Sequence, residues 1–377
     1  MNSEATFGGY ILRIEFDAIV AGAGPAGCTA AKVLAEGGLS VCLVERHGPP
    51  REKTCGGLLS ASSMEIIRRI YGSEPPSDVR QEPRELDLFV VPPSGFDNGF
   101  CVPNERVVQV SRKRLDFWLA TSAEEKGVTL LRDTDVAGHT LDGEYPRVSL
   151  NTRDGKRSLT TNNLIAADGV YSRIGDAVSP RTIAQRAMFV QEYHLRSGEF
   201  GDCFHLIYNG GVSPTYAYVI PKGRNLCLGV GVLAGRPLDA NRGLRNLRLW
   251  LNRERGFEGG EPIGREGFGV PFGGIRLGNG HVFLIGDAAG FCHPLTGEGI
   301  SYAIASGEAA ARAILEAGQD SMTAYEKAMA PLAKELEVAA AGTLGMSDED
   351  RERRVGARRA RAMNPSSRSV PGRAESP

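Results

Sequence analysis

The sequence predicts an α/β protein in which a parallel, doubly wound sheet is interlaced with a second domain built on an antiparallel sheet. Three strands support the first part of this prediction, because each is apolar and each ends in a glycine-containing turn. The second part comes from residues 186–232, which alternate in polarity and are rich in Tyr, Phe and Val, as antiparallel strands are.

The first of these strands opens an N-terminal unit of strand, tight turn, helix and strand. Gly22 permits the turn, Gly24 lets the backbone approach a pyrophosphate, and Gly27 lets the helix pack closely. Pro25 suits the first helical turn, whose free N–H groups attract phosphate. Glu45 ends the next strand and can accept hydrogen bonds from a ribose diol. This spacing is that of a Rossmann-like dinucleotide-binding unit, and by itself it does not separate FAD from NAD.

The other two strands add polar groups to the same predicted site. Strand 164–167 runs into Asp168 and a glycine, an arrangement that an ordinary turn also explains. Strand 281–285 runs into Gly286 and Asp287, whose carboxylate can accept a hydrogen bond from a ribitol or ribose hydroxyl. A Gly-Glu-Gly run then opens a long alanine-rich helix, and the first N–H groups of that helix can face an electron-rich acceptor.

Composition restricts the class of protein. The chain has 377 residues, of which 41% are hydrophobic, enough for two domains, and its formal net charge of -1 gives no reason to expect a nucleic-acid partner. The seven cysteines lack C-x-x-C spacing, so we expect a reducing compartment, no disulfide framework and no metal site. Residues 1–14 do not resemble a signal peptide and no apolar stretch is long enough to span a bilayer, which predicts a cytoplasmic protein.

Composition shifts along the chain suggest where the two domains divide. The segment from Tyr71 to Pro103 is rich in proline and holds one strand-like run, so it reads as an excursion into the second domain. The dinucleotide-binding domain is predicted from three segments and the second domain from two: 1–75, 104–185 and 278–344, and 76–103 and 186–277, respectively. The remainder, 345–377, is polar and rich in Arg without an apolar period, which predicts disorder.

Two features of the second domain are candidates for binding. Tyr216, Tyr218 and Ile220 alternate along one strand, so their side chains face the same side, which is either a ligand wall or plain core. Residues 241–253 form a basic amphipathic helix. Such a helix can contact a membrane surface, or it can cover the sheet with its charges in water.

Together the three strand-end motifs resemble those of FAD-dependent reductases and monooxygenases of the para-hydroxybenzoate hydroxylase fold. Within that group the chain is similar to the geranylgeranyl reductase family. The similarity rests on Cys55-Gly56-Gly57-Leu58, on the stretch 286–300 around the Gly-Asp motif, and on 214–221. The last of these follows the family's P-x-Y-x-W-x-F-P pattern, except that Tyr218 replaces Trp and Ile220 replaces Phe.

The resemblance implies an FAD-binding Rossmann-like domain and gives roles to single residues. Glu45 and Arg46 would hold the adenosine ribose, Arg112 the pyrophosphate region, and Val136 the adenine. The full set of expected cofactor-binding residues is Gly22, Gly24, Pro25, Ala26, Gly27, Glu45, Arg46, Cys55, Gly56, Gly57, Arg112, Val136, Asp168, Gly286, Asp287, Gly299 and Ile300.

The resemblance also implies a reaction, the reduction of C=C bonds in an isoprenoid or other apolar substrate by hydride transfer from reduced flavin. NADPH or another reductant would supply the electrons. Cys55 would protonate the substrate or be a small buried apolar residue, and His293 would be an acid or a structural residue. The substrate wall would consist of Tyr216, Tyr218, Ile220 and Pro294.

Two other functions remain open on the sequence alone. A hydroxylase of the same fold would let reduced flavin react with oxygen, and a non-catalytic flavoprotein would bind FAD without turnover. The expected partners are a small apolar substrate and, through the basic helix, a membrane surface, with no nucleic acid. The sequence leaves the oligomeric state open.

Overall fold

The computed structural model describes residues 3–7, 10–234, 240–343 and 345–363, with side chains from Ile14 onward. The strands are β1 Ser3–Phe7, β2 Tyr10–Ile14, β3 Phe16–Ala21, β4 Val41–Glu45, β5 Leu58–Leu59, β6 Arg80–Val91, β7 Phe100–Val110, β8 Thr129–Arg132, β9 Asp135–Asp142, β10 Tyr145–Thr152, β11 Gly155–Ala166, β12 Arg186–Leu195, β13 Cys203–Ile207, β14 Ala217–Lys222, β15 Asn225–Leu233, β16 Gly264–Pro271, β17 Gly278–Asn279 and β18 Val282–Leu284. The helices are α1 Pro25–Glu36, α2 Ala61–Tyr71, α3 Arg112–Glu124, α4 Arg173–Val178, α5 Ala240–Arg255, α6 Gly286–Ala289, α7 Ile300–Ala317, α8 Ser321–Thr343 and α9 Asp348–Met363.

The first large sheet is the predicted dinucleotide-binding sheet. Its strands lie in the order β17-β18-β11-β3-β4-β8, and β18, β11, β3, β4 and β8 are mutually parallel. Parallel strands of this kind are covered on both faces, and the central ones are accordingly apolar and buried along β4 and over the last residues of β3 and β11. The three motif-bearing strands, β3, β11 and β18, are neighbours, which brings their carboxyl ends to one edge of the sheet.

Small residues bring the helices of this domain close together. The alanine-rich helix α1 packs against α7, and a Cβ on Gly307 of α7 would overlap the Ala26 carbonyl. A Cβ on Gly27 would likewise overlap the Gly22 carbonyl, so α1 sits directly on the turn that precedes it. The close helix–strand packing expected of the third motif glycine is confirmed by this geometry.

The second large sheet has the order β16-β12-β15-β14-β13-β6-β7-β5 and is antiparallel except for the β13–β6 pair. The hairpin of β6 and β7 runs from Arg80 to Val110, and these two end residues pair with each other. The boundary predicted at 103/104 therefore falls inside β7. The two-residue strand β5 also belongs to this sheet, through its pairing with β7.

The two faces of the second sheet have different surroundings. Alternate residues of β14, such as Ala217 and Val219, share one apolar cluster with Leu244, Leu247 and Leu251 of α5. Tyr218 and Ile220 belong to a separate cluster on the other face, which also contains Val355 of α9. The helix α5 and the aromatic residues thus lie on opposite sides of the sheet.

The prediction of disorder for 345–377 is wrong over the part that the structure describes, because Asp348–Met363 form α9. Residues 364–377 lie outside the described residues. Arg351 is 4% exposed and donates to the carbonyls of Ser213 and Pro214, at 3.1 and 2.6 Å. Val355, one turn later, is buried. One buried guanidinium and one valine anchor the helix. Two isolated residues do not produce an apolar period in the sequence, so the periodicity could not reveal this helix.

Candidate functional site

The glycine turn after β3 presents the start of α1 to the edge of the sheet. Gly22 has φ +105° and a Cβ there would collide with the Ala167 carbonyl, so the turn requires glycine. Gly24 is the N-cap of α1, and no side chain caps the helix. A Cβ on Gly24 would meet only Arg51 Nη2, at 4.0 Å. Pro25 has no N–H group, so the first free N–H groups of α1 are those of Ala26 and Gly27, and the open side of Gly24 leaves space for an anion beside them.

The acid at the end of β4 is fixed by the same turn. Glu45 is 6% exposed, and its carboxylate accepts hydrogen bonds from the backbone N–H groups of Ala23 at 2.8 Å and His47 at 3.1 Å. Arg51 Nε lies 3.2 Å from the same carboxylate. Arg46, which was expected beside the ribose, is exposed and forms no hydrogen bond or ion pair within the described chain.

A buried carboxylate that sequence reasoning missed organises the positive charge of the site. Asp116 is 1% exposed, receives two hydrogen bonds from Arg112 at 2.9 and 3.0 Å, and lies 3.1 Å from Arg51. Burial opposes the charge of Arg112, but the attraction of Asp116 outweighs it and raises the pKa of the guanidinium. The i,i+4 spacing of Arg112 and Asp116 on α3 could have revealed this pair. Arg51 stands in a loop without a pattern.

The Gly-Asp motif reaches the same place from β18. Asp287 is half-buried in the first turn of α6. Burial raises the pKa of its carboxyl, and the positive charges of Lys53, Arg112 and Arg181 oppose that rise. A Cβ on Gly299 would lie 3.7 Å from Asp287 Oδ1, so the two halves of the third motif adjoin each other. The first and third motifs are therefore brought together around Arg112.

The remaining expected cofactor-binding residues lie after the end of β11, at the start of α7 and in β9. Asp168 is exposed at the end of β11, and its carboxylate accepts from the Arg173 N–H at 3.1 Å. Gly299 is the N-cap of α7 without a side-chain cap, and Ile300, the first residue of that helix, is buried. Val136 of β9 is buried in the apolar core of the first domain. Its contact with adenine stays a prediction.

The turn after β3, Arg112 and Asp287 border what we call the cofactor crevice. The Cys-Gly-Gly segment, residues 55–57, lies between this crevice and the second sheet. Gly57 has φ +67°, a Cβ on it would collide with the Val110 carbonyl, and its N–H donates to Cys55 Sγ at 3.4 Å. A Cβ on Gly56 would lie 3.1 Å from Ile220 Cδ1. The thiol of Cys55 is half-buried, and the next residue, Gly56, is the one that approaches β14.

The predicted common face of Tyr216, Tyr218 and Ile220 is confirmed, because all three belong to one apolar cluster. The rings of Phe189 and Tyr216 are 4.8 Å apart, and those of Tyr216 and Tyr218 are 6.3 Å apart. The Tyr218 hydroxyl donates to Gln191 Oε1 at 2.8 Å. The Tyr216 hydroxyl lies against Gly297 of the loop that follows the Gly-Asp motif. The loop that follows the Gly-Asp motif therefore contacts the aromatic residues that lead into β14.

Two residues of that loop have structural contacts. The ring of His293 accepts from the Leu295 N–H through Nδ1 at 3.3 Å and stacks on Tyr302 with centroids 6.5 Å apart. Burial lowers the pKa of this imidazole, so it is neutral near pH 7. Pro294 beside it is buried.

Glu298 is a second residue that the sequence did not single out for its side chain. Its Oε1 atom accepts from the hydroxyls of Ser60, Ser62 and Ser301, at 2.5, 3.1 and 2.7 Å. The carboxylate therefore ties the segment after Cys-Gly-Gly to the start of α7. Three serines around one glutamate leave no pattern that sequence alone reveals.

These residues fit FAD. A pyrophosphate and an electron-rich ring both need N–H donors. The N-termini of α1 and α7, which have no side-chain caps, can supply them. Arg112 adds a fixed positive charge, and Glu45 stands where a ribose acid is expected. Beside Gly24, a Cβ would occupy space that is open in this structure and that a phosphate can use.

Among the described helices, none combines the length and the apolar character that a membrane-spanning helix needs.

Comparisons with known proteins agree with this geometry. The FAD binding domain family matches residues 15–193. The chain is 30% identical to menaquinone reductase of Mycolicibacterium smegmatis, over 86% of this chain and 81% of that protein. It is also 30% identical to digeranylgeranylglycerophospholipid reductase 1 of Methanopyrus kandleri, over 82% of this chain and 83% of the relative.

Solved structures share the fold. A geranylgeranyl bacteriochlorophyll reductase-like protein from Thermoplasma acidophilum superimposes with a TM-score of 0.79, at 21% sequence identity. The match covers 94% of this chain and 92% of that one.

Proposed function

Since the chain belongs to the geranylgeranyl reductase family of FAD-dependent oxidoreductases, we propose that it reduces C=C bonds of an isoprenoid or other apolar substrate. One observation carries the proposal: two loops of the cofactor crevice touch the apolar face of the second sheet. Gly56 approaches Ile220, and Gly297 lies against the Tyr216 hydroxyl. A flat cofactor held in the crevice would then have an apolar neighbour rather than water.

Binding of the cofactor is assigned to the polar groups of the crevice. The N-terminus of α1 and Arg112 would hold the pyrophosphate, Glu45 the ribose, and Asp287 a hydroxyl of the ribitol. Reduced FAD supplies the hydride, and NADPH or another reductant is the proposed source of its electrons. The N-terminus of α7 would stabilise negative charge on the reduced ring by about 0.3–2 kcal/mol.

The second hydrogen of the product must arrive as a proton, and we assign it to the thiol of Cys55. This thiol is half-buried, accepts the Gly57 N–H, and lies close enough to Arg112 for the two to interact. As the hydride adds to one carbon, the thiol proton adds to the neighbouring carbon, and Arg112 stabilises the thiolate until a solvent proton restores it. His293 is neutral and holds its loop, so it is not assigned this role.

The proposed substrate class follows from the aromatic face and from the relatives. Tyr216, Tyr218 and Phe189 offer ring faces to a polyprenyl chain. Tyr218 and Ile220 stand where the family pattern has Trp and Phe, two larger side chains, so the face is wider here than the pattern predicts. We therefore propose the polyprenyl class, which includes chains other than geranylgeranyl.

Anaerobic turnover tests this function. The holoprotein is reduced with dithionite and mixed with geranylgeranyl diphosphate or a menaquinone, and flavin reoxidation is followed by absorbance. The expected product carries one added dihydrogen per reduced double bond by mass spectrometry. Cys55→Ala should retain FAD and lose at least about tenfold in turnover, as expected when a proton donor is removed.

Two outcomes would contradict the proposed function, and a third would contradict only the assignment of the proton donor. Reduced flavin that none of these substrates reoxidises argues for a binding protein. Oxygen consumption coupled to a hydroxylated product argues for a monooxygenase. Full turnover by Cys55→Ala removes the assignment of the proton donor, although the reductase function would stand.

A further inference from the structure

A cationic depression lies on the face of the second sheet that is turned away from the cofactor crevice. Leu244, Leu247 and Leu251 of α5 pack onto that face, and the polar side of the helix forms one wall of the depression. We call it the arginine pocket, and its volume is about 350 Å³. The pocket is lined by Glu192, Asn241, Arg242, Arg245, Arg248, Glu261, Pro262 and Arg265.

A buried carboxylate fixes the floor of the arginine pocket. Glu192 of β12 is 3% exposed, and its Oε2 accepts from Arg248 Nη1 at 2.9 Å. Arg265 Nε lies 3.8 Å from the other carboxylate oxygen, and His194 Nε2 lies 3.2 Å from Oε2. The charge of Glu192 is thus already shared among its neighbours, and the guanidinium groups of Arg248 and Arg265 each face one of its two oxygens.

Two further arginines of the pocket are unpaired. Arg242 and Arg245 are exposed on α5, and neither forms an ion pair or a hydrogen bond within the described residues. The lining therefore holds four guanidinium groups against two carboxylates, Glu192 and Glu261. The guanidinium groups around one depression repel each other, and an anion with two negative charges would balance the excess of two positive charges.

We propose that the arginine pocket binds a phosphate monoester or diphosphate group. Planar guanidinium groups pair with phosphate oxygens two at a time, and a volume of about 350 Å³ has room for such a group together with part of the molecule that carries it. The sheet separates this pocket from the Cys-Gly-Gly segment, so the bound group is not the one that reacts at the flavin.

The phosphate can belong to a lipid headgroup or to a free metabolite. Leu249 lies one turn beyond Arg245 on the same side of α5 and is 59% exposed, and Ile263 beside Pro262 is 57% exposed. Two exposed aliphatic side chains near an anion site are the arrangement that an interfacial contact uses. The chemistry at the guanidinium groups is the same in both cases, and the experiment separates the two sources.

Calorimetric titration of the FAD-loaded protein with inorganic pyrophosphate tests the site directly. We expect one saturable site in the wild type, affinity about tenfold lower in Arg245→Ala, and weaker binding as salt increases. Arg253→Ala is the matched control, because Arg253 is an exposed arginine of the same helix outside the pocket. It should bind as the wild type does.

Sedimentation with vesicles distinguishes the sources. Capture by phosphatidic acid vesicles and not by phosphatidylcholine vesicles, reduced in Arg245→Ala, assigns the group to a lipid. Pyrophosphate binding without vesicle capture assigns it to a soluble metabolite. The proposal is overturned if neither probe binds, or if Arg253→Ala weakens binding as much as Arg245→Ala does. Since the readout is binding and the flavin spectrum reports folding, the result does not depend on the proposed reductase activity.

Discussion

The cofactor crevice and the aromatic face that adjoins it are held in place by different forces. In the crevice, Glu45 and Asp116 each make several polar contacts, and backbone turns fit without space for a Cβ. On the aromatic face, Tyr216 is positioned by ring packing and Tyr218 by packing and one hydrogen bond. The crevice therefore depends on specific atoms, whereas the aromatic face depends on the shape and the buried area of its side chains.

The largest expected effect is at the first glycine of the turn. Gly22→Ala would place a Cβ against the Ala167 carbonyl at a φ of +105°, so we expect the protein to lose bound flavin and much of its stability. The flavin-to-protein absorbance ratio of the purified protein measures this. Gly38→Ala is the matched control, since Gly38 has φ +88° and no atom within 4 Å of an added Cβ. If both variants lost flavin to the same extent, the strain of an alanine at positive φ, and not the collision with the Ala167 carbonyl, would explain the effect at Gly22.

Removing the buried carboxylate is the next most severe change. Asp116→Ala leaves Arg51 and Arg112 without their shared partner, which is expected to cost about 3–5 kcal/mol in the free energy of unfolding. Urea denaturation provides the measurement. Asp87→Ala, which breaks an exposed pair with Arg106, serves for comparison and should change stability little. An equal loss in the two variants would contradict the difference drawn between buried and exposed charge.

A pH dependence should originate in the second domain. His205 is buried among Phe89, Phe96 and Phe200, donates through Nε2 to the Phe200 carbonyl, and burial lowers its pKa from 6.5 to about 4. The folded state therefore resists protonation, and its contribution to stability is complete above pH 6.5 and is lost as the pH falls through 4. We expect a decrease of about 1.4 kcal/mol per pH unit in that window.

His205→Gln keeps a donor for the Phe200 carbonyl and does not titrate, so its stability should vary less between pH 6.5 and 4. Urea midpoints measured across this range provide the test. Parallel slopes for the wild type and the variant would show that other groups set the acid response.

The smallest effects separate two tyrosines of the aromatic face. Tyr218→Phe removes a hydrogen bond to Gln191 and should cost about 1 kcal/mol. Tyr216→Phe should leave stability unchanged, because the Tyr216 hydroxyl forms no hydrogen bond among the described residues. Thermal denaturation of the two variants compares them, and flavin content should stay equal in both. A larger loss for Tyr216→Phe would place a polar partner at that hydroxyl.

The sequence was sufficient to predict the parts of the molecule in which a binding turn requires one particular backbone conformation. The turn glycines and Glu45 were predicted at their positions, because a tight turn and an uncapped helix start have few sequence solutions. The common face of Tyr216, Tyr218 and Ile220 was predicted from the two-residue period of a strand.

What the sequence did not reveal depends on long-range contacts between side chains. Arg51 reaches Asp116 across 65 positions, which follows from the fold and not from any local spacing. Glu298 accepts hydrogen bonds from serine hydroxyls that lie more than two hundred positions earlier in the sequence. The helix α9 was missed for the same reason, since its anchor, Arg351, binds carbonyls at 213 and 214.

That anchor has a consequence for any shortened form of the protein. Val355 fills a place in the same apolar cluster as the aromatic strand, and Arg351 is attached to the residues that lead into it. Ending the polypeptide before Asp348 would uncover aromatic rings that are now sheltered. Such a fragment should self-associate in size-exclusion chromatography while it retains bound flavin.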